Sequence, residues 1–285
     1  MNKLWSTKIQ STEMLYYSRL ERFNEQNCDT WFNLLKIKDG MRVLEVGCGG
    51  GHFTNMVKKH FPKCDVYGID LDENHIKFAK SKCQELGLDV NYQVADINNL
   101  PFETDSFDVV FSHTVVEHLP FDNFIKEQRR VLKQGGHVVI MRVAGGKRDN
   151  PFMYLEDEIG QIFNKLDIDN NVKVGQYYEE PEFTLAKLNN YGFKNLHFSY
   201  DRFMFYCPDI QQDKEQGLYQ IKLHHDMIKY NAIFNLQIAK NGEVYYQELI
   251  DLLDKQVAKR IDMYERDEKI FDYVSSLILT ISATK

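Results

Sequence analysis

No stretch of this chain is apolar for long enough to span a membrane, and the start, Met-Asn-Lys-Leu-Trp, lacks the apolar centre of a signal peptide. Paired-cysteine spacing is missing as well. The five cysteines (28, 48, 64, 83 and 207) are scattered and odd in number, which argues against a disulfide framework or a zinc site and for a reduced, cytoplasmic protein. An excess of positive charge is also missing. The formal net charge is −7, whereas a large nucleic-acid footprint needs clustered Lys and Arg, so neither nucleic acid nor membrane is an expected partner. His224 and His225 are neighbours, about a hundred degrees apart on a helix, and do not readily share a metal. No internal repeat or linker divides the 285 residues, a length that suits one α/β domain plus an accessory element.

What the chain does have is a glycine cluster. In residues 41–54, Met-Arg-Val-Leu-Glu-Val-Gly-Cys-Gly-Gly-Gly-His-Phe-Thr, the apolar run Val43, Leu44 and Val46 reads as a buried parallel strand. Phe53, Met56, Val57 and Phe61 then recur at helical spacing. Gly47, Gly49 and Gly51 therefore lie in a strand-to-helix turn, where sheets of this kind bind ligands. Glycine there lets the backbone turn tightly and approach a ligand without a Cβ in the way. A dinucleotide fingerprint wants its third glycine at the position held by His52, so a pyrophosphate site is disfavoured.

The next strands end on acids. Asp65 to Ile69 reads as a strand ending at Asp70, whose carboxylate is placed to accept hydrogen bonds from both hydroxyls of a ribose. Asp72 reads as the cap of a helix with Ile76, Ala79, Cys83 and Leu86 inside. Val90 to Ala95 is a third strand, ending in Asp96 and Ile97. Val109 to Phe111 is a fourth, with Ser112 and His113 at its carboxyl end. A helix with Phe124, Ile125, Val131 and Leu132 inside leads to a turn at Gln134-Gly135-Gly136, and Val138 to Val143 is a fifth strand. Strands alternating with helices from 41 to 143 predict an α/β fold with a parallel, doubly wound sheet.

The run Glu45-x-Gly47-x-Gly49-x-Gly51 resembles motif I of the class I S-adenosylmethionine-dependent methyltransferases. Leu100-Pro-Phe-Glu-Thr-Asp-Ser-Phe-Asp-Val-Val-Phe-Ser-His resembles that family's approach to its fourth strand, and Val-Val-Glu-His-Leu (115 to 119) resembles a segment of its small-molecule branch. The resemblance implies a seven-stranded, mostly parallel sheet with N-terminal helices and a helical insert before the last strand. Glu182 to Tyr191 would be its last helix, Leu196 to Tyr206 the sixth strand, and Tyr273 to Lys285 the seventh, antiparallel between strands five and six. It implies S-adenosylmethionine as cofactor, S-adenosylhomocysteine as product and a small-molecule acceptor. The cofactor contacts carried over are Glu45, Gly47, Cys48, Gly49 and Gly51, Asp70 and Leu71 at the ribose, Asp96 and Ile97 at the adenine, and Ser112 and His113.

On this division, residues 1–36 form an N-terminal helical lid, 37–206 and 271–285 the methyltransferase core, and 207–270 a helical insertion over the substrate side. Ser11 or Thr12 can start a lid helix. From the lid, Tyr16, Tyr17 and Arg19 are the candidate substrate contacts, with Gln10 and Arg22 nearby. In the insert, Leu249, Leu253, Val257, Ile261 and Tyr264 form a helical stripe. Residues 144–180 lose regularity at Gly145, Gly146 and Pro151, and Tyr154 to Leu166 reads as a short helix. Residues 151–182 hold eight acids against two lysines, which would steer cationic or neutral substrates if the segment rims the mouth.

A sulfonium methyl is already activated, so transfer needs chiefly an aligned nucleophile at about 3–3.5 Å. A base helps a hydroxyl or thiol acceptor. His113 and His118 are the catalytic candidates, with Glu117 as a partner and His113 first because it is nearest a strand end. No Asp-Pro-Pro-Tyr or Asn-Pro-Pro-Tyr follows the fourth strand, which disfavours a methylase of the adenine exocyclic amine, and no Pro-Cys follows it, which removes the cytosine-carbon class. No metal site is expected. An NAD(P)-dependent oxidoreductase and a non-catalytic nucleoside-binding protein are the alternatives, and the oligomeric state is left open.

Overall fold

Three helices precede the first strand in the computed structural model, which describes residues 5–149, 152, 154–169 and 174–285. They are α1 (Trp5–Lys8), α2 (Thr12–Arg22) and α3 (Cys28–Leu35). Ser11 begins α2 by accepting the Met14 N–H at 3.1 Å, which satisfies one of the donors a helix start leaves open. Strand and helix then alternate through β1 (Arg42–Val46), α4 (His52–His60), β2 (Asp65–Asp70), α5 (Glu73–Glu85), β3 (Asn91–Val94), β4 (Phe107–His113) and α6 (Phe121–Val131). Next come β5 (Leu132–Asp149), α7 (Glu156–Lys165), α8 (Pro181–Asn190), β6 (Lys194–Tyr206), α9 (Lys214–Ile238), α10 (Gly242–Glu265) and β7 (Tyr273–Thr284).

The seven strands form one sheet in the order β3-β2-β1-β4-β5-β7-β6. The first five run parallel, and β7 is antiparallel to both β5 and β6. Side chains alternate between two apolar layers. Val109, Phe111, Val139, Met141 and Ile278 meet Phe23, Trp31 and Phe53 on one face. On the other, Val110, Val138, Ile140 and Leu279 meet Phe124 and Ile125 of α6 and Leu188 of α8. Strand order reverses between β1 and β4, so a crevice opens beyond their carboxyl ends.

Several details differ from the sequence expectation. β5 does not stop at Val143. It bulges at Ala144 and continues through Gly145 opposite Leu277 and Gly146 opposite Ser276 to Asp149 opposite Tyr273. The long β-branched β7 supplies partners along its whole length, and this outweighs the local weakness of two glycines. Pro151 lies outside the described residues. Leu132 opens β5 rather than closing α6, and residues 133–136 form an excursion between the pairs Phe107–Leu132 and Val109–His137. Leu86 caps α5 and is 55% exposed, so the inner stripe ends at Cys83.

Residues 207–270 are mostly helical. α9 and α10 pack together, with Ala232, Leu236, Leu249 and Leu253 buried against Ile162 of α7. The outer side of α9 meets α2, where Tyr17 stacks on Tyr230 at 4.9 Å and Glu21 accepts from His224 Nδ1 at 2.6 Å. A buried ion network ties α10 to the core: Arg260 donates to Asp209 and to Asp272, each at 2.8 Å, and Tyr206 donates to Asp272 at 2.9 Å. Among the described residues no helix is long and apolar enough to cross a membrane.

Candidate active site

A cavity of ≈ 540 Å³ occupies the crevice at the strand-order reversal. Its floor is the glycine turn after β1. Gly47 has φ +72° and Gly51 φ +80°, the left-handed region that side chains avoid. Space is restricted too: a Cβ on Gly47 would stand 2.5 Å from Val115 Cγ2, and one on Gly51 2.5 Å from the Tyr92 hydroxyl. The turn is fastened to β2 by the N–H groups of Gly47 and Cys48, which donate to the Ile69 carbonyl at 2.8 and 2.9 Å.

Asp70 sits beside this turn. One carboxylate oxygen accepts the Gly49 N–H at 2.9 Å, the other the Asp72 N–H at 2.9 Å, and His75 Nδ1 lies 3.3 Å away. Each oxygen keeps a further lone pair for a ligand donor. Asp96 is exposed at the end of β3, where it accepts from the backbone and side-chain nitrogens of Asn98 at 2.9 and 2.7 Å. Glu45 is buried, accepts from the Thr54 hydroxyl, and is pushed up to about 8 by desolvation, so its carboxyl is largely neutral at pH 7.

Of the residues singled out in the sequence, Glu45, Gly47, Cys48, Gly49, Asp70, Leu71, Asp96, Ile97, His113, His118 and Arg19 line the cavity. Four expected residues do not. Gly51 lies below the floor, where its carbonyl accepts from the Tyr92 hydroxyl at 2.9 Å. Ser112 is fully buried and points to the far face of β4 from His113. Tyr16 packs over Gly50 and edge-on against Phe78 and His52, and Tyr17 stacks on α9. The reason is helical geometry: Leu15, Arg19 and Phe23, spaced by four, are the α2 face that meets the cavity.

The sequence reading missed Trp5, Ile9, His75, Gly175 and Gln176, which also line the space. α1 crosses its edge because the Ser6 N–H donates to Asp72 at 2.9 Å, the Asn74 amide donates to Ser6 at 3.0 Å, and Trp5 meets the His118 ring at 4.6 Å. Only the second role of Asp72 carried a signal, since it also caps α5 through the Asn74 N–H at 2.9 Å. His224 and His225 take separate partners, Glu21 and Asp254.

With this geometry in view, the chain can be compared with known proteins. The family model described as "Methyltransferase domain" matches residues 44–140. Over those residues the chain is similar to a methyltransferase domain. The chain is 30% identical over 128 residues to a ubiquinone biosynthesis O-methyltransferase of Coxiella burnetii, covering 45% of this chain and 53% of that protein. It is 28% identical over 197 residues to a sterol 24-C-methyltransferase of Gibberella zeae, covering 68% of this chain and 50% of that protein. It thus spans about half the length of the curated relatives it matches. A Haemonchus contortus phosphoethanolamine N-methyltransferase, solved with phosphomonomethylethanolamine and S-adenosylhomocysteine, superposes with TM-score 0.55 at 19% identity, over 97% of this chain and 58% of that one. Their sheets share a fold.

Within the matched residues the two candidate histidines have different surroundings. His113 is buried against the Phe23 ring at 4.8 Å, and among the described residues its Nε2 has no hydrogen-bond partner. Burial, with Arg19 and Arg22 nearby, holds it well below the ordinary histidine range. His118 Nδ1 accepts the Gly175 N–H at 3.2 Å, and burial lowers it to about 4. Both imidazoles are neutral at pH 7. Glu117, behind them, is pushed up by burial.

Proposed function

We propose that this chain transfers the methyl group of S-adenosylmethionine to a small-molecule acceptor. The observation that carries the reading is the Asp70 carboxylate, held by Gly49 and Asp72 at the lip of the ≈ 540 Å³ cavity. In that reading Asp70 accepts from the ribose hydroxyls, Asp96 and the Ile97 N–H take the adenine edge, and the turn at 47–49 carries the methionine part. Arg19, whose guanidinium reaches the cavity from α2, takes the cofactor's carboxylate.

The acceptor's nucleophile attacks the methyl carbon in line with the carbon–sulfur bond. That bond breaks with its electron pair going to sulfur, which releases neutral S-adenosylhomocysteine. Placement alone supplies roughly 7–11 kcal/mol of the barrier. When the acceptor is a hydroxyl or thiol, its proton goes to His113 Nε2, which is neutral and unpartnered. His118 is the weaker candidate because Gly175 already uses its Nδ1. In the same reading residues 1–36 act as a lid, 37–206 and 271–285 as the core, and 207–270 as an insertion backing the lid on the substrate side. A cytoplasmic protein with no nucleic-acid or membrane partner fits the charge and the sequence.

Incubating the protein with S-adenosylmethionine labelled at the methyl group and a broad metabolite panel tests this. Label on any small acceptor supports transfer. S-adenosylhomocysteine binding with no transfer to any acceptor would instead favour a non-catalytic nucleoside-binding protein.

A further inference from the structure

Among the described residues, one group of three metal-ligating side chains brings all its ligand atoms within 4.8 Å of one another: Glu25, Cys28 and His60. His60 Nε2 and Glu25 Oε2 are 2.8 Å apart, and the Cys28 thiol donates to the Glu25 backbone carbonyl at 3.4 Å. Lys59 Nζ takes the other carboxylate oxygen, Oε1, at 2.5 Å. The Phe32 ring packs on the His60 ring at 5.0 Å. None of the three lines the large cavity, so the group is separate from the candidate active site.

The group forms where three elements meet at their ends. Glu25 is in the turn after α2, Cys28 is the first residue of α3, and His60 is the last of α4. His60 joins the other two only after β1 and the whole of α4, which is why cysteine spacing gives no sign of a site. Both helix ends suit a metal thiolate. The start of α3 favours an anionic sulfur, and the open carbonyls at the end of α4 favour a cation. Burial, with Asp29 and Glu25 nearby, holds the free thiol above its ordinary range, so coordination displaces its proton to solvent.

A surface ion pair is the simpler use of these residues, and it needs only Glu25, Lys59 and His60. Exposed pairs of that kind contribute about 0–1 kcal/mol. The buried thiol adds a soft ligand for which an ion pair has no use. Carboxylate, imidazole and thiolate together make the mixed set that suits zinc, whereas calcium and magnesium take oxygen. With Cys28 and Glu25 ionised and His60 neutral, a divalent ion leaves the three-residue site without net charge.

We propose that Glu25, Cys28 and His60 bind one zinc ion, which pins the turn between α2 and α3 to the end of α4. Around a tetrahedral zinc the ligand atoms stand about 3.3–3.6 Å apart. His60 and Glu25 therefore open slightly to admit the ion, and the thiol closes by about 1 Å at most through side-chain rotation. Lys59 keeps Oε1 and so orients the carboxylate whose Oε2 ligates. The fourth position belongs to water, since Glu25 and His60 are exposed. The role is structural. His52, the first residue of α4, already holds the Phe23 carbonyl at 2.6 Å, and the ion adds a second hold at the far end of that helix. The site does not depend on the methyltransferase reading.

Titration of the full chain with cobalt(II), after stripping with a chelator, tests the proposal. Cobalt takes the same ligands as zinc and reports a bound thiolate by a charge-transfer band in the near ultraviolet. The parent should show the band, saturate at one ion per chain, and lose the band when zinc is added. Cys28→Ser should abolish it. Glu25→Gln and His60→Gln, both surface changes that keep the test open if the Cys28 variant fails to fold, should each weaken zinc about tenfold or more in competition with a chromophoric chelator. Zinc should raise the melting temperature of the parent but not of His60→Gln. S-adenosylhomocysteine affinity should stay at the parental value in all three variants. No band in the parent, a band that persists in Cys28→Ser, or equal zinc affinity in parent and variants would overturn the site.

Discussion

Arg19 Nη2 donates to Thr114 Oγ1 at 2.7 Å, joining residues 95 apart in sequence, the cavity face of α2 and the turn that ends β4. Thr114 has φ +54° and is held there by its N–H, which donates to the Met141 carbonyl at 2.8 Å. α2 is thus hooked to a residue in a conformation that side chains avoid, at the edge of the cavity. Arg19 is buried, and desolvation with Arg22 nearby lowers it to about 9, so it stays charged at pH 7. Arg19→Met should weaken S-adenosylhomocysteine binding by about tenfold or more without lowering the melting temperature. Unchanged affinity would remove Arg19 from the cofactor's carboxylate.

Asp70→Ala should weaken the cofactor more than tenfold, because it strips the ribose hydroxyls of an acceptor worth about 1.5–3 kcal/mol. It also releases the N–H groups of Gly49 and Asp72. Melting curves read alongside calorimetry separate the two effects: a folded variant with parental affinity would take Asp70 out of the site.

His113→Ala should lower turnover about tenfold or more and leave cofactor affinity nearly unchanged. Since burial keeps His113 neutral well below its ordinary range, turnover of the parent should show no histidine titration between about pH 6 and 8. A variant with full activity would end its role as proton acceptor.

His52 connects pH to the end of α2. Its Nε2 meets the Phe23 carbonyl at 2.6 Å, and burial lowers it to about 4 from an ordinary 6.5. The unfolded chain therefore binds the proton more readily. Stability from this group is complete above pH 6.5 and is lost as pH falls toward 4, by about 2–3 kcal/mol. His52→Gln should flatten that part of the acid unfolding curve; an unchanged slope would contradict the assignment.

Arg260→Ala should destabilise the fold by about 3–5 kcal/mol, because it leaves Asp209 and Asp272 buried without their cation. Urea unfolding measures this. A loss below about 1 kcal/mol would show that the insert is not anchored through this network.

Much of the core was legible in the sequence because local and tertiary preferences agree there. β1 is a short buried run followed by glycines that only glycine can satisfy, and Asp70 and Asp96 mark strand ends by their spacing alone. The cavity face of α2 was only half legible. Leu15, Arg19 and Phe23 share a face at fours, yet the polar tips of Tyr16 and Tyr17 looked more chemical than an apolar stripe. β5 was misread because Gly145 and Gly146 are local breakers, while the partner that sustains them, β7, lies about 130 residues later.

Equilibrium titration of the parent chain with S-adenosylhomocysteine and, separately, with NADH tests the central claim most directly. The account predicts saturable binding of S-adenosylhomocysteine, lost or strongly weakened in Asp70→Ala, and no binding of NADH. Tight NADH binding with none of S-adenosylhomocysteine would contradict it.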